Sequence, residues 1–268
     1  MTPELMTWLL LFLFGIITGL IAAIFGMGGG LITVPFLTFW GVPIVEAAAT
    51  SLVGAFLSAV SGSLQNWRTK QINWRIALQL GLFGIFTAQL GAALGDIIPE
   101  IWLSWSFAIF LLLQIYLINL RQKVSIEELE EKESQSNYPE ETDNSINNKN
   151  IWDIATIGAL AGIISGLFGL SGGTVMVPLQ LIFWMEPIKV AVRTSLGAMI
   201  PITISGISQY AWQGHVLWIP GLCLGLGNIL GAQIGSRWLT HLPEKIVNLL
   251  FRLILLSLAI YMFGKAAI

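Results

Sequence analysis

The segment GLIAAIFGMGGGLITVP, Gly19 to Pro35, returns 143 positions later as GIISGLFGLSGGTVMVP, Gly162 to Pro178, so one apolar unit is written twice. In this ungapped register Gly19, Phe25, Gly26, Gly29, Gly30 and Pro35 meet Gly162, Phe168, Gly169, Gly172, Gly173 and Pro178. After a one-residue insertion the offset becomes 144, and Pro43, Thr50, Ser51, Leu52, Gly62, Trp74, Gly81 and Pro99 meet Pro187, Thr194, Ser195, Leu196, Gly206, Trp218, Gly225 and Pro243. Whatever one half folds into, the other must fold into as well.

Both halves are too apolar for water. Hydrophobic residues make up 55% of the 268 and charged residues 10%, and the mean hydropathy is +0.78; such a chain belongs in a bilayer. A helix needs about 20 apolar residues to cross hydrocarbon, which predicts long spans near 5–25, 44–66, 75–95 and 101–120, with counterparts near 152–169, 188–211, 216–236 and 246–263. The runs are continuous in Leu, Ile, Ala and Gly, without the two-residue alternation of a membrane barrel. The expected class is therefore all-α and polytopic. Residues 1 to 8 hold no Lys or Arg and no small-residue cleavage site follows, so the first span is expected to be a mature helix. Cys223, a single cysteine, has no disulfide or metal-spacing partner and is expected to act as a small apolar residue.

Three regions follow: a first membrane repeat over 1–120, a polar linker over 121–150 and a second membrane repeat over 151–268. The linker carries eight of the fifteen acids and too little apolar surface to offset ordering, beyond a helical extension through Glu133. Lys and Arg mark cytoplasmic loops. In the first half they fall at Arg68, Lys70 and Arg75, are missing from 95–100, and return at Arg121 and Lys123. In the second half the loop matching Arg68 has none, whereas the loop matching Asp96 has Arg237 and Lys245. Equivalent loops on opposite faces predict inverted-topology repeats, an outside amino terminus and a cytoplasmic linker.

Inversion needs an odd number of crossings per half, and four long spans are even. The difference falls on the glycine segment, where Gly28 to Trp40 is only thirteen residues. Each half is expected to contain a broken or re-entrant helix: either a hairpin that dips and returns, or two tilted crossings. Irregular backbone at membrane depth persists only when it is buried in protein or lines a polar cavity. Gly28, Gly29 and Gly30, with Ser171, Gly172 and Gly173, are candidates to bind a solute through exposed amides at a restarting helix, whose dipole favours an anion. The alternative is that these glycines only allow close helix packing.

Thr50 and Ser51, and equally Thr194 and Ser195, stand about two turns into the next helix and offer uncharged hydroxyl donors, unless they bond back to the preceding turn. Arg193, opposite Ala49 in the first half, either forks onto an oxyanion or snorkels to the membrane surface. Arg252 is a lesser candidate of the same kind. Gln89 and Gln233 are expected to bond between helices, and Gln65, Asn66, Gln209 and Asn228 carry less signal. No acid lies deep in a span, which disfavours a proton relay or a cation pore and suits an anion. His215 and His241, the only histidines, are expected on opposite faces, so no catalytic or metal constellation is expected, and no nucleic-acid partner.

The duplicated G-x-G-G-G-x-x-x-V-P type segment (Gly26 to Pro35, and Gly169 to Pro178 with Leu-Ser for Met-Gly), followed by T-S-L at Thr50 to Leu52 and Thr194 to Leu196, resembles the sulfite exporter TauE/SafE family of membrane permeases. The resemblance covers both halves but not the linker. It implies export or uptake of sulfite, sulfoacetate or other organosulfonates, coupled to an ion gradient. From the duplication itself the site is expected at the interface of the two repeats, in an integral protein of the cell inner membrane, with no cofactor. A passive anion channel would share almost every one of these features.

Overall fold

The computed structural model describes residues 3–25, 29–68, 73–134, 149–184, 186, 188–238 and 244–267. The described residues form ten α-helices and no strand: α1 Pro3–Phe25, α2 Gly30–Phe39, α3 Ile44–Arg68, α4 Trp74–Ile97 and α5 Glu100–Ser134, then α6 Ile151–Phe168, α7 Gly173–Trp184, α8 Ile188–Trp212, α9 Trp218–Trp238 and α10 Glu244–Ala267. Five of these are long and apolar enough to cross a bilayer. Of the expected linker, residues 121–134 continue α5.

Local chemistry sets the helix limits. The Asn73 and Asn150 side chains accept from the amides of Ile76 and Trp152 and cap α4 and α6. Pro43 and Pro99 stand just before α3 and α5 and supply carbonyls to Ala47 and Leu103 at 2.9 and 3.1 Å. Gly169 ends α6 in the left-handed region at φ 67°, where a side chain would be strained.

Glycines let the helices approach to backbone contact, and they record each helix's direction. A Cβ on Gly15 would stand 2.5 Å from the Leu224 carbonyl, one on Gly19 2.3 Å from that of Asn228, and one on Gly231 2.0 Å from that of Ile16, so α1 and α9 are parallel. Likewise Gly158 meets Leu80, Gly162 meets Gly84 and Gly166 meets Ala88, so α6 and α4 are parallel. The first helix of each half thus packs on the fourth helix of the other. In α3 and α9, Thr50 and Val53 lie against Gly221 and Leu57 against Gly225, whereas in α4 and α8 Gly81 lies against Ala198 and Pro201. These pairs are parallel too. At the centre, Gly62 meets Leu196 and Gly206 meets Leu52, so α3 runs antiparallel to its own counterpart α8.

One end of the bundle gathers the starts of α3, α5 and α9 with the ends of α4, α8 and α10. There Glu100 accepts from the Ile44 amide at 3.3 Å and from Lys265 at 3.0 Å, His215 meets Asp96 at 2.6 Å, and the Leu217 amide donates to Thr50 at 3.2 Å. Exposed Trp40, Trp102 and Trp212 ring this end, and exposed Trp67, Trp74 and Trp152 ring the other, in the manner of aromatic belts at two membrane interfaces. Because α1 is parallel to α3 and α2 returns to the α3 start, α1 and α2 enter and leave at one end. Both geometries open to the sequence share this arrangement; α1 has 23 residues and α2 only 10, so the shortening falls on the helix after the break.

Candidate functional site

The two glycine breaks meet. A Cβ on Gly30, the first residue of α2, would stand 2.8 Å from the Gly169 carbonyl, 3.1 Å from the Leu170 Cα and 3.1 Å from the Ser51 hydroxyl. A Cβ on Gly169 would stand 2.2 Å from the Ala48 carbonyl, one turn before Ser51 in α3. Only glycine allows this approach of three backbones at one point. A Cβ on Gly172 would stand 3.6 Å from the Ala161 Cβ, so the second break runs back along α6 before α7 begins.

Ser51 is 2% exposed and Ser171 fully buried, and both hydroxyls are unpartnered. Leaving such a group buried and unbonded costs about 1–3 kcal/mol, so each hydroxyl has hydrogen-bonding capacity that no described residue meets. The amides of Gly172 and Gly173 have no backbone acceptor among the described residues, and they point along the start of α7 where the helix dipole is positive. Pro35 and Pro178 each sit inside the short helix that follows a break, and their missing amides leave a further carbonyl without its helical partner.

The remaining expected residues divide. Gly29 is buried beside the Asn228 amide, 3.1 Å from its Nδ2 to a Gly29 Cβ position. Thr50 is buried and accepts from the Leu217 amide, a structural bond that ties α3 to the α9 start. Ser195 accepts from Gln180 at 3.1 Å, and Thr194 beside it is buried. Arg193 is part-exposed near the α8 start and makes no hydrogen bond or ion pair with another described residue; no contact ties it to either break. Gly28 lies outside the described residues. Gln89 faces outward and bonds to no described residue, against the interhelical role expected of it, because α4 presents its glycine stripe and not this face to α6.

Asn228 matters more than its sequence signal. Its Oδ1 accepts from Thr18 at 2.6 Å, and its Nδ2 lies 3.2 Å from a Cβ position on Gly54, so one amide links α1, α3 and α9 beside the first break. The counterpart of Asn228 is Gly84 and that of Thr18 is Ala161, so this clamp exists in one half. The second break has a different anchor: Tyr210 donates to the carbonyl of Gly166 at 2.7 Å, in the last turn of α6.

A bundle of apolar helices with duplicated breaks is the architecture of a polytopic helical membrane protein. The sequence matches the sulfite exporter TauE/SafE family over residues 11–262, and the chain belongs to that family. It is 24% identical to the probable membrane transporter protein YunE of Bacillus subtilis, over 94% of this chain and 95% of that one. It is 28% identical to YdhB of the same organism, also described as a probable membrane transporter protein, over 90% and 92%. A probable membrane transporter protein of Methanocaldococcus jannaschii is 27% identical over 93% and 91%. No solved structure matches the chain.

Proposed function

We propose that this protein is a secondary transporter, working as an exporter, of small sulfur-containing anions such as sulfite, sulfoacetate and other organosulfonates. The observation that carries the reading is the meeting of Gly30 with Gly169 and Leu170 beside the unpartnered Ser51 hydroxyl. Donors without a fixed positive charge suit a cargo that must be both bound and released. The antiparallel pairing of α3 with α8 supports inverted repeats, and alternating access then follows as a rocking of one repeat on the other about the breaks. Family membership and relatives described as transporters favour carriage over catalysis.

In this reading the end bearing Asp96 and His215 faces outward, with the amino terminus. The other end faces the cytoplasm, where Arg68, Lys149, Lys189 and Arg193 gather in accord with the positive-inside rule, and the membrane is the inner one. Gly28, Gly29, Gly30, Ser51, Ser171, Gly172 and Gly173 hold the anion, with Thr50, Thr194 and Ser195 lining the approach. Arg193, near the cytoplasmic entrance, attracts it, and an ion gradient drives the cycle. Purified protein in liposomes tests this: imposed sulfite or sulfoacetate gradients should dissipate, and both anions should raise thermal stability. If neither anion moves or stabilises, the substrate class is wrong. Arg193→Gln should weaken anion binding severalfold, and unchanged affinity would reduce Arg193 to a surface anchor.

A further inference from the structure

Among the described residues with no exposed surface, Gln114, Ser165 and Ser171 have every side-chain polar atom unpartnered, whereas Gln180 leaves only its Oε1 unpartnered because its Nε2 donates to Ser195. Gln114 belongs to α5, Ser165 to α6 and Ser171 to the second break, and aromatic contacts bring α5 and α6 together. Phe107 and Phe110 of α5 close on Phe168 of α6, with ring centroids 5.4 and 5.6 Å apart. Gln114 continues that α5 face, one turn beyond Phe110 and two beyond Phe107. Ser165 and Ala161 continue the Phe168 face of α6 backwards by one and two turns.

The two continuations converge because the helices are opposed: α5 leaves the Asp96 end of the bundle, whereas α6, parallel to α4, runs toward it. Gln114 therefore stands level with Ala161 and Ser165. Gly172 already lies against Ala161, so Ser171, its neighbour, enters the same space from the break. We infer that Gln114, Ser165 and Ser171 line one buried polar chamber in the second half, and that it binds the oxyanion end of the cargo. This rests on the anion-transport reading and extends it beyond the breaks.

Two features select the ligand class. The chamber offers an amide NH2 and two hydroxyls, enough donors for several oxygens of one anion, and holds no carboxylate that would repel it. It also exists once: the counterparts of Gln114, Ser165 and Ser171 are Leu258, Ala22 and Gly28. Duplication accounts for the breaks but not for three polar residues converging in one copy. The cargo is thus held off the pseudo-symmetry axis, on the side of the chamber from which the second break leads back to Ser51.

The test uses the purified full chain, with sulfite and sulfoacetate as probes and calorimetric affinity and melting temperature as readouts. Gln114→Leu and Ser165→Ala introduce the residue types of the first half. Gln114→Leu should melt higher than the parent without anion, since an unbonded amide is removed, and should bind sulfite at least tenfold more weakly. Ser165→Ala should weaken binding about threefold or more and decides alone if Gln114→Leu is not recovered folded. Affinities within twofold of the parent in the folded variants would make the chamber a water pocket and overturn the inference. If those variants bind normally while Ser51→Ala loses affinity, only the chamber fails. If the parent binds neither anion, the transport reading fails and the chamber with it.

Discussion

Leu52 closes on Gly206, and its counterpart Leu196 closes on Gly62, so the central helices of the two halves make the same contact twice in opposite directions. The leucine Cδ1 atoms lie 2.9 and 3.1 Å from where a Cβ on either glycine would stand. A small addition can be met by turning a leucine tip, but a ring cannot. Gly206→Phe and Gly62→Phe should each destabilise by about 1–3 kcal/mol from overpacking, and by similar amounts. Thermal melts of the two variants check this; one tolerated and one destructive substitution would contradict the pseudo-twofold relation.

The stripes between exchanged helices are stricter, because the atoms in the way are backbone. A Cβ on Gly166 would lie 2.1 Å from the Ala88 carbonyl and one on Gly231 2.0 Å from that of Ile16, whereas Gly264 has nothing within 4 Å. Gly166→Ala and Gly231→Ala should force helices apart and lower the yield of folded protein, at a cost of about 2 kcal/mol or more. Gly264→Ala should be neutral or slightly stabilising, as its helix gains propensity. Detergent-phase melting of the three variants separates the two classes.

How far the sequence alone leads can be judged from particular residues. The spans, the duplication and the breaks were legible because each depends on a run of residues, and a run carries its own signal of length or period. Asn228, Thr18, Gln114 and Ser165 were not, or only faintly, because one polar residue in an apolar helix has a role only through its partner. Asn228 meets Thr18 across 210 positions, on a helix that crosses to the other half. The register comparison held the missing signal, since each of these residues stands where its counterpart is apolar or glycine. Gln89, polar in both halves, was a poorer guide because it faces outward.

Ser51→Ala should separate binding from stability. Its hydroxyl is buried and unpartnered, so removing it should leave the anion-free protein unchanged or raise its stability by about 1 kcal/mol. The stabilisation added by sulfite should shrink at the same time. Melting curves with and without sulfite give both quantities, and equal sulfite shifts in parent and variant would remove Ser51 from the site.

Lys149, just ahead of α6, pairs with Glu186 in the α7–α8 connection and lies 4.1 Å from the Trp184 ring centroid. Burial lowers its pKa to about 8 from the ordinary 10.5, in spite of the adjoining carboxylate. Folding therefore opposes its charge: below about pH 8 the folded state carries that cost in full. As pH rises from 8 toward 10.5 the unfolded chain holds the extra proton and stability increases. Lys149→Met should flatten this rise in melting temperature, and an identical slope in parent and variant would refute the assignment.

Counterflow in proteoliposomes bears most directly on the claim that two opposed repeats carry an anion across where their breaks meet. With unlabelled sulfite trapped inside and trace labelled sulfite outside, the parent should accumulate label transiently above equilibrium. Gly30→Ala, whose Cβ would press on the Gly169 carbonyl, should abolish that overshoot while remaining in the membrane. Simple equilibration without overshoot in the parent, or an undiminished overshoot in Gly30→Ala, would contradict the account.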